Sequence, residues 1–388
     1  MKRNIRLLGL FNFFTDFKFH SAVLIIYFAR ITGSYVLATS LFSVAMIASA
    51  FFEVPTGIYS DMIGRKKTVI LGAVSATASA VFYAAGQSYW PLFTGALFDG
   101  LSRAFYSGNN DALLFDSVRE SKSEKSFAHH FGTTSSMFQL ALAIGAVIGS
   151  IIAQWSFAVI MWLSVVPQII CLIISFSLVN PAYTTKGKTN IFSHVTFSAL
   201  HLWKNQKLRL LSLTDILGFG IGESSFSFNA AFINTVWPIW AIGFARLISY
   251  GGGFVSYWTS GKAIKKLGEY NILIFANLSS RILNFIAYGF PTLISPVLMS
   301  VSSLWYGSNE VARNSLMQHE YTDEQRATLS SVTSLFGSLF YGLFAPVIGI
   351  FADRFGPAKA LIMVQCAMLS VLYINIQLKK SAYENSRH

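Results

Sequence analysis

The chain has 388 residues, 53% of them hydrophobic and only 12% charged, with a mean hydropathy of +0.53. A soluble protein of this size carries charge on about a quarter of its residues, so the composition excludes a soluble globular fold and calls for a polytopic membrane protein. The net charge of +12 does not point to nucleic acid, because the cations sit in short connections between apolar stretches and not in a patch interleaved with exposed aromatics.

Apolar stretches long enough to cross a bilayer fall at about 6–30, 36–60, 67–88, 91–115, 127–153, 156–179, 209–233, 238–260, 270–290, 294–317, 327–350 and 358–377. They predict an all-α integral membrane protein of about twelve transmembrane helices, an even number that puts both ends on one side. Met1 to Arg6 is basic and precedes an apolar run, as in a signal peptide. No small-residue cleavage site follows, however, and the run is long enough to span, so it is expected to stay as the first helix. Cations cluster at Lys2, Arg3 and Arg6, at Arg65 to Lys67, at Arg119, Lys122 and Lys125, at Lys186 to Arg209, at Lys262, Lys265 and Lys266, and at Lys379 and Lys380. The intervening connections, such as Gln87-Ser88-Tyr89-Trp90 and Gln154-Trp155, have almost none. By the positive-inside rule both termini are cytoplasmic, and the aromatics of the outer connections form an interfacial belt. Cys171 and Cys366 each lie inside an apolar span, so neither a disulfide framework nor a metal site is expected.

The connection after the second span reads Gly57-Ile58-Tyr59-Ser60-Asp61-Met62-Ile63-Gly64-Arg65-Lys66-Lys67. Gly57 allows close helix approach, Asp61 can accept from N–H groups at the start of the next helix, and Gly64 supports a tight turn. This G-x-x-x-D-x-x-G-R-K-K run resembles the loop between the second and third helices of the major facilitator superfamily of secondary transporters, with Met62 where that family usually has its first Arg. The resemblance implies a conformational latch made of Gly57, Asp61, Gly64, Arg65 and Lys66. It also implies alternating access between two six-helix halves, a substrate and ion site near the midplane, and a multi-pass place in the inner (plasma) membrane.

A shift of 200 residues superposes parts of the two halves. Ser60, Arg65 and Lys66 fall on Ser260, Lys265 and Lys266; Tyr106, Asn109 and Ala112 on Tyr306, Asn309 and Ala312; Val147-Ile148-Gly149 on Val347-Ile348-Gly349. This is a six-plus-six duplication: an N-terminal half at 1–180, a linker at 181–208 and a C-terminal half at 209–388. In the linker, Phe192, Val195, Ala199, Leu202 and Trp203 recur at helical spacing, which predicts an amphipathic helix on the cytoplasmic membrane surface.

Ionisable groups inside apolar spans are costly and mark function by default. On the first span Asn12, Asp16 and His20 are four apart and share one helical face, with Lys18 pointing elsewhere. A desolvated Asp16 is the first choice of proton carrier, with His20 as relay. On the fourth span Asp99, Arg103, Tyr106 and Asn110 form one stripe, with Asp99 and Arg103 at ion-pair spacing. The run from Asp99 to Ala112 resembles the superfamily's helix-4 pattern, in which an Arg ahead of a Gly is linked to proton coupling. In the second half, Asp215 and Glu223 share a face and Glu310 lies near Arg313, while Arg281 and Arg313 read as members of structural ion pairs. Gly145-x-x-x-Gly149 on the fifth span is a close-packing motif.

The 35 Phe, 16 Tyr and 8 Trp suit an aromatic cavity for lipophilic, often cationic, solutes. With no nucleotide-binding loop in the sequence, the driving force is expected to be an ion gradient, protons first. The reading is a monomeric proton-coupled antiporter for multidrug-type efflux, without cofactor, metal or nucleic-acid partner. Import of a small nutrient or chelate is the alternative, and a membrane enzyme or receptor is disfavoured because no catalytic constellation or extramembrane domain is present.

Overall fold

A computed structural model describes residues 1–121, 127–181, 205–320 and 326–385. All the regular structure among the described residues is helical, with α-helices α1 (Lys2–Asp16), α2 (Leu24–Thr32), α3 (Tyr35–Ile63), α4 (Arg65–Ala85), α5 (Tyr89–Tyr106), α6 (Asn109–Glu120), α7 (Phe127–Ala153), α8 (Phe157–Ser177), α9 (Gln206–Val236), α10 (Ile242–Leu267), α11 (Glu269–Gly289), α12 (Ser295–Val301), α13 (Tyr306–Glu320), α14 (Arg326–Phe355) and α15 (Pro357–Asn385). Among them seven helices are long and apolar enough to cross a membrane by length and composition. In hydrocarbon a backbone can satisfy its own polar groups only as a helix or a closed barrel, which is why these apolar runs take this one form. Polar residues mark the starts. Ser34 Oγ accepts from Leu37 N–H at 3.4 Å, Ser156 Oγ from Val159 N–H at 3.3 Å, and Asn205 Oδ1 from Leu208 N–H at 3.1 Å, each an N-cap.

The contacts divide the chain into two compact units, one of Met1–Lys188 with Pro238–Phe244 and one of Thr189–Trp237 with Ala245–His388. The first has a core of Leu8, Phe11, Val69, Leu113, Cys171 and Leu178, the second of Leu208, Ile272, Leu316, Leu329 and Leu378. The amphipathic helix expected within 181–208 lies almost wholly outside the described residues.

The duplication is visible inside each unit, but its register is not uniform. Gly64, at φ +91°, ends α3 and starts α4, and Gly268, at φ +78°, ends α10 and starts α11. These are the equivalent left-handed turns that glycine alone adopts without strain. Their offset is four more than the 200 of the sequence alignment, so Glu269 and not Lys265 stands where Arg65 does, an extra turn having been added to the end of α10.

The first apolar span is interrupted between α1 and α2, the fourth between α5 and α6 at Ser107 and Gly108, and the tenth between α12 and α13 by a 3-10 segment at Ser302–Trp305. His20 therefore does not share a helical face with Asn12 and Asp16, because the helix stops at Asp16. Nor does Asn110 continue the Asp99 stripe, since it lies past the second break.

The first break is held from both sides. On α8, Ser164, Gln168 and Cys171 line one face. Ser164 Oγ accepts from His20 N–H at 3.2 Å, Gln168 Nε2 donates to Thr15 O at 3.2 Å, and Cys171 Sγ donates to Phe11 O at 3.5 Å. On α7, Gly145 and Gly149 let the bare backbone settle onto the helix. A Cβ at 145 would stand 3.3 Å from Lys18 O, and one at 149 would overlap the Phe19 carbonyl oxygen. A Gly149→Val variant is therefore expected to lose about 1–3 kcal/mol through overpacking, seen as a lower melting temperature in detergent. Gly57→Ala, where a Cβ meets nothing within 4 Å, should melt no lower than the parent protein.

Candidate functional site

The break in the first span brings Lys18 against α5. Lys18 Nζ lies 3.3 Å from Asp99 Oδ1, and Arg103 Nε lies 2.9 Å from Asp99 Oδ2. One carboxylate thus holds two cations. Lys18, which the sequence pattern turned away from the cluster, is part of it because the unwound backbone re-aims its side chain. Half-buried Asp16 lies in the electrostatic reach of Lys18, Arg103 and Asp99, and among the described residues its carboxylate has no hydrogen-bond or ion-pair partner. With Asp16 ionised the four charges sum to zero; with Asp16 protonated they sum to +1. Asn12 sits one turn earlier on α1, half-buried. His20 is buried, its ring 6.2 Å from that of Tyr83 and its Nδ1 without a partner among the described residues.

The turn at Gly64 is clipped to its own unit in part by Asp116 and Asn180, which the sequence reading did not single out. Arg65 Nε lies 2.8 Å from Asp116 Oδ2, a carboxylate only 1% exposed. Asn109 accepts from Ser60 Oγ at 2.7 Å and donates to Arg65 O at 3.2 Å, and Lys66 N–H donates to Asn180 Oδ1 at 3.0 Å. Asp116 was legible as a lone acid at the end of an apolar run, and Asn109 as a member of the internal repeat. Gly57 makes no close helix contact, because the space beside it is open. The side chain of Asp61 lies outside the described residues.

In the second unit Asp215 on α9 meets Glu310 and Arg313 on α13. Arg313 Nη2 is 2.9 Å from Asp215 Oδ1 and 2.6 Å from Glu310 Oε2. Asn314 Nδ2 donates to Glu310 Oε1 at 3.3 Å. With Phe219, Met317 and Thr333 these groups line a cavity of about 170 Å³. Here two acids share one cation, the reverse of the imbalance at Asp99. Glu223 lies two turns along α9 from Asp215, within electrostatic reach of Arg246. Arg313 is thus in an ion pair, as read, but Arg281 is not: among the described residues it has no acidic partner. No group of three or more His, Cys, Asp or Glu side chains placed to hold a metal occurs among the described residues.

Residues 6–340 match the family model described as Major Facilitator Superfamily. The chain belongs to the major facilitator superfamily. Among its relatives, an uncharacterized transporter of Buchnera aphidicola subsp. Acyrthosiphon pisum is 33% identical over 129 residues, which is 33% of this chain and 32% of the relative. The class E tetracycline resistance protein of Escherichia coli is 26% identical over 128 residues, 33% of this chain and 30% of that protein. The matched region thus spans about a third of these relatives' length. The fold is that of the nucleoside transporter NupG, with a TM-score of 0.77, 14% identity and coverage of 97% of this chain and 99% of that one. It is likewise that of a POT family transporter solved with a thioalcohol-conjugated peptide, with a TM-score of 0.72, 13% identity and coverage of 98% and 96%. The chain thus belongs to a superfamily of multi-pass membrane transporters.

Because Asp99 bridges Lys18 and Arg103, removing its charge takes the ion-pair partner from half-buried Lys18, a loss of about 3 kcal/mol. Arg103, 55% exposed, can turn to solvent. Thermal unfolding in detergent should therefore show Asp99→Asn melting well below Arg103→Gln; equal melting temperatures would remove the bridging role of Asp99.

Proposed function

We propose that this superfamily member is a proton-coupled exporter of small lipophilic compounds, working by alternating access as a monomer in the bacterial inner membrane, with twelve spans and both termini cytoplasmic. The observation that carries the coupling is Asp16, a carboxylate at a broken membrane helix, without a partner among the described residues and within reach of a Lys18–Asp99–Arg103 network. Taking up a proton there changes the local charge from zero to +1. That change weakens the hold of Asp99 on its two cations and gives the protein two electrostatic states to alternate between. The Asp215–Glu310–Arg313 cluster, with one acid in excess, is the second carrier in this scheme. The export direction is supported by the likeness to a tetracycline resistance protein, and import of a small nutrient is the opposite outcome of the same test.

The turn at Gly57 to Lys67 acts in this reading as the latch that its resemblance implies. Asp61→Asn is expected to cut transport while leaving expression intact, measured as compound accumulation normalised to protein level.

Growth inhibition across a compound panel, with and without expression, separates the directions: export lowers sensitivity and import raises it. In proteoliposomes, substrate-induced proton flux should accompany uphill transport and disappear with a protonophore. Asp16→Asn should lose uphill accumulation and keep downhill exchange. Uphill transport with no proton flux, or with sodium in its place, refutes the coupling.

A further inference from the structure

Along α11 one stripe is polar. Asn277, Arg281, Asn284 and Tyr288 follow one another at helical spacing, while Phe275, Leu278, Ile282 and Ile286 form an exposed apolar stripe, as a lipid-facing surface requires. Three of the four polar residues join another helix. Asn277 Nδ2 donates to Asn309 Oδ1 of α13 at 3.3 Å, Asn284 Nδ2 to Gln365 Oε1 of α15 at 3.4 Å, and Tyr288 Oη to Asn229 Oδ1 of α9 at 3.3 Å. Arg281 does not. Among the described residues its side chain has no hydrogen-bond or ion-pair partner, its Nε is buried, and the one titratable group acting on it is Tyr288.

A second guanidinium approaches the same tyrosine. Arg246 on α10 is 5% exposed, donates to Phe226 O at 2.8 Å, lies 3.9 Å over the Phe226 ring, and acts electrostatically on Tyr288 as Arg281 does. The acid in the field of Arg246 is Glu223, so this part of the second unit holds two cations against one carboxylate. A cation on a membrane-spanning helix without a counter-charge costs several kcal/mol. Asn277, Asn284 and Tyr288 each donate to another helix, and among the described residues no acid pairs with Arg281, so an anion from outside the chain is suited to offset it. A guanidinium fork fits a carboxylate or phosphate through two parallel hydrogen bonds, and the residue keeps enough exposed surface for a ligand to reach it.

We propose that Arg281, with Arg246 across Tyr288, is the anion subsite of this transporter, and that its substrates carry a carboxylate or phosphate group on a lipophilic body. The proposal rests on the transporter reading and refines it: the sequence favoured cationic solutes, and the unpaired guanidinium reverses that sign for one end of the molecule.

The test is binding to the full-length protein purified in a neutral maltoside, in zwitterionic low-chloride buffer, followed by thermal unfolding. The probes are 2-naphthoate and naphthyl phosphate, with 2-naphthylmethylammonium as the cationic control. Saturable stabilisation by either anion and none by the cation is expected. In Arg281→Gln the half-saturating concentration should rise at least about tenfold, and in Arg281→Lys by less. Ligand-free Arg281→Met should melt at or above the parent protein, because it removes a charge that nothing in the chain offsets. The proposal is overturned if neither anion stabilises the parent protein, if Arg281→Gln binds as tightly, or if Arg281→Met melts lower or fails to fold. It is equally overturned if only chloride or phosphatidylglycerol micelles give an Arg281-dependent shift, since the occupant is then a halide or a lipid headgroup. Failure of proton coupling reads out separately, as missing proton flux with anion binding intact.

Discussion

The unwound backbone between α1 and α2 is the feature on which the first unit depends. In hydrocarbon each unpaired N–H or C=O costs several kcal/mol, so a membrane helix stays broken only where neighbours supply both partners and space. Here α8 supplies the partners through Ser164 and Gln168, and α7 supplies the space through Gly145 and Gly149. The same packing sets the charges. It turns Lys18 onto Asp99, buries His20 against Tyr83, and leaves Asp16 as the last helical residue beside a cation pair.

The two units carry related devices with opposite charge balance. Around Asp99, two cations share one acid; around Arg313, two acids share one cation. Duplication explains why each unit has an ionic cluster linking its first helical region to its fourth. The differences show that the copies have since diverged in chemistry. The turns at Gly64 and Gly268 repeat the same divergence. The backbone conformation is kept, while Arg65 pairs with Asp116 in one and Glu269 accepts from Ser315 Oγ at 3.2 Å in the other. Backbone demands persist because only glycine meets them without strain, whereas side-chain pairs can be exchanged as long as each charge finds a partner.

Arg281 and Asp16 are the exceptions to that rule among the residues discussed: neither has an ion-pair partner among the described residues. Asn277, Asn284 and Tyr288 on the same stripe all reach across to other helices. A guanidinium without an acid on a membrane-spanning helix carries a cost that nothing among the described residues offsets; in the proposed scheme a bound anion offsets it.

The sequence by itself determined the all-helical membrane class, the family and most of the intramembrane ionisable residues. Hydropathy, the spacing of Asp99 and Arg103, and the turn chemistry around Gly64 are local properties of the chain. Which charges meet was decided only by tertiary structure. An ideal helix through 6–30 sets Asn12, Asp16 and His20 in a row and sends Lys18 away. The actual chain unwinds at Phe17, because side chains more than a hundred residues distant in sequence satisfy its backbone better than a further helical turn would. Likewise Arg313 has Glu310 three residues earlier on its own helix, but its second acid, Asp215, comes from across the helix interface, whereas Arg281 meets no acid among the described residues; those interface partners are set by the packing of the helices.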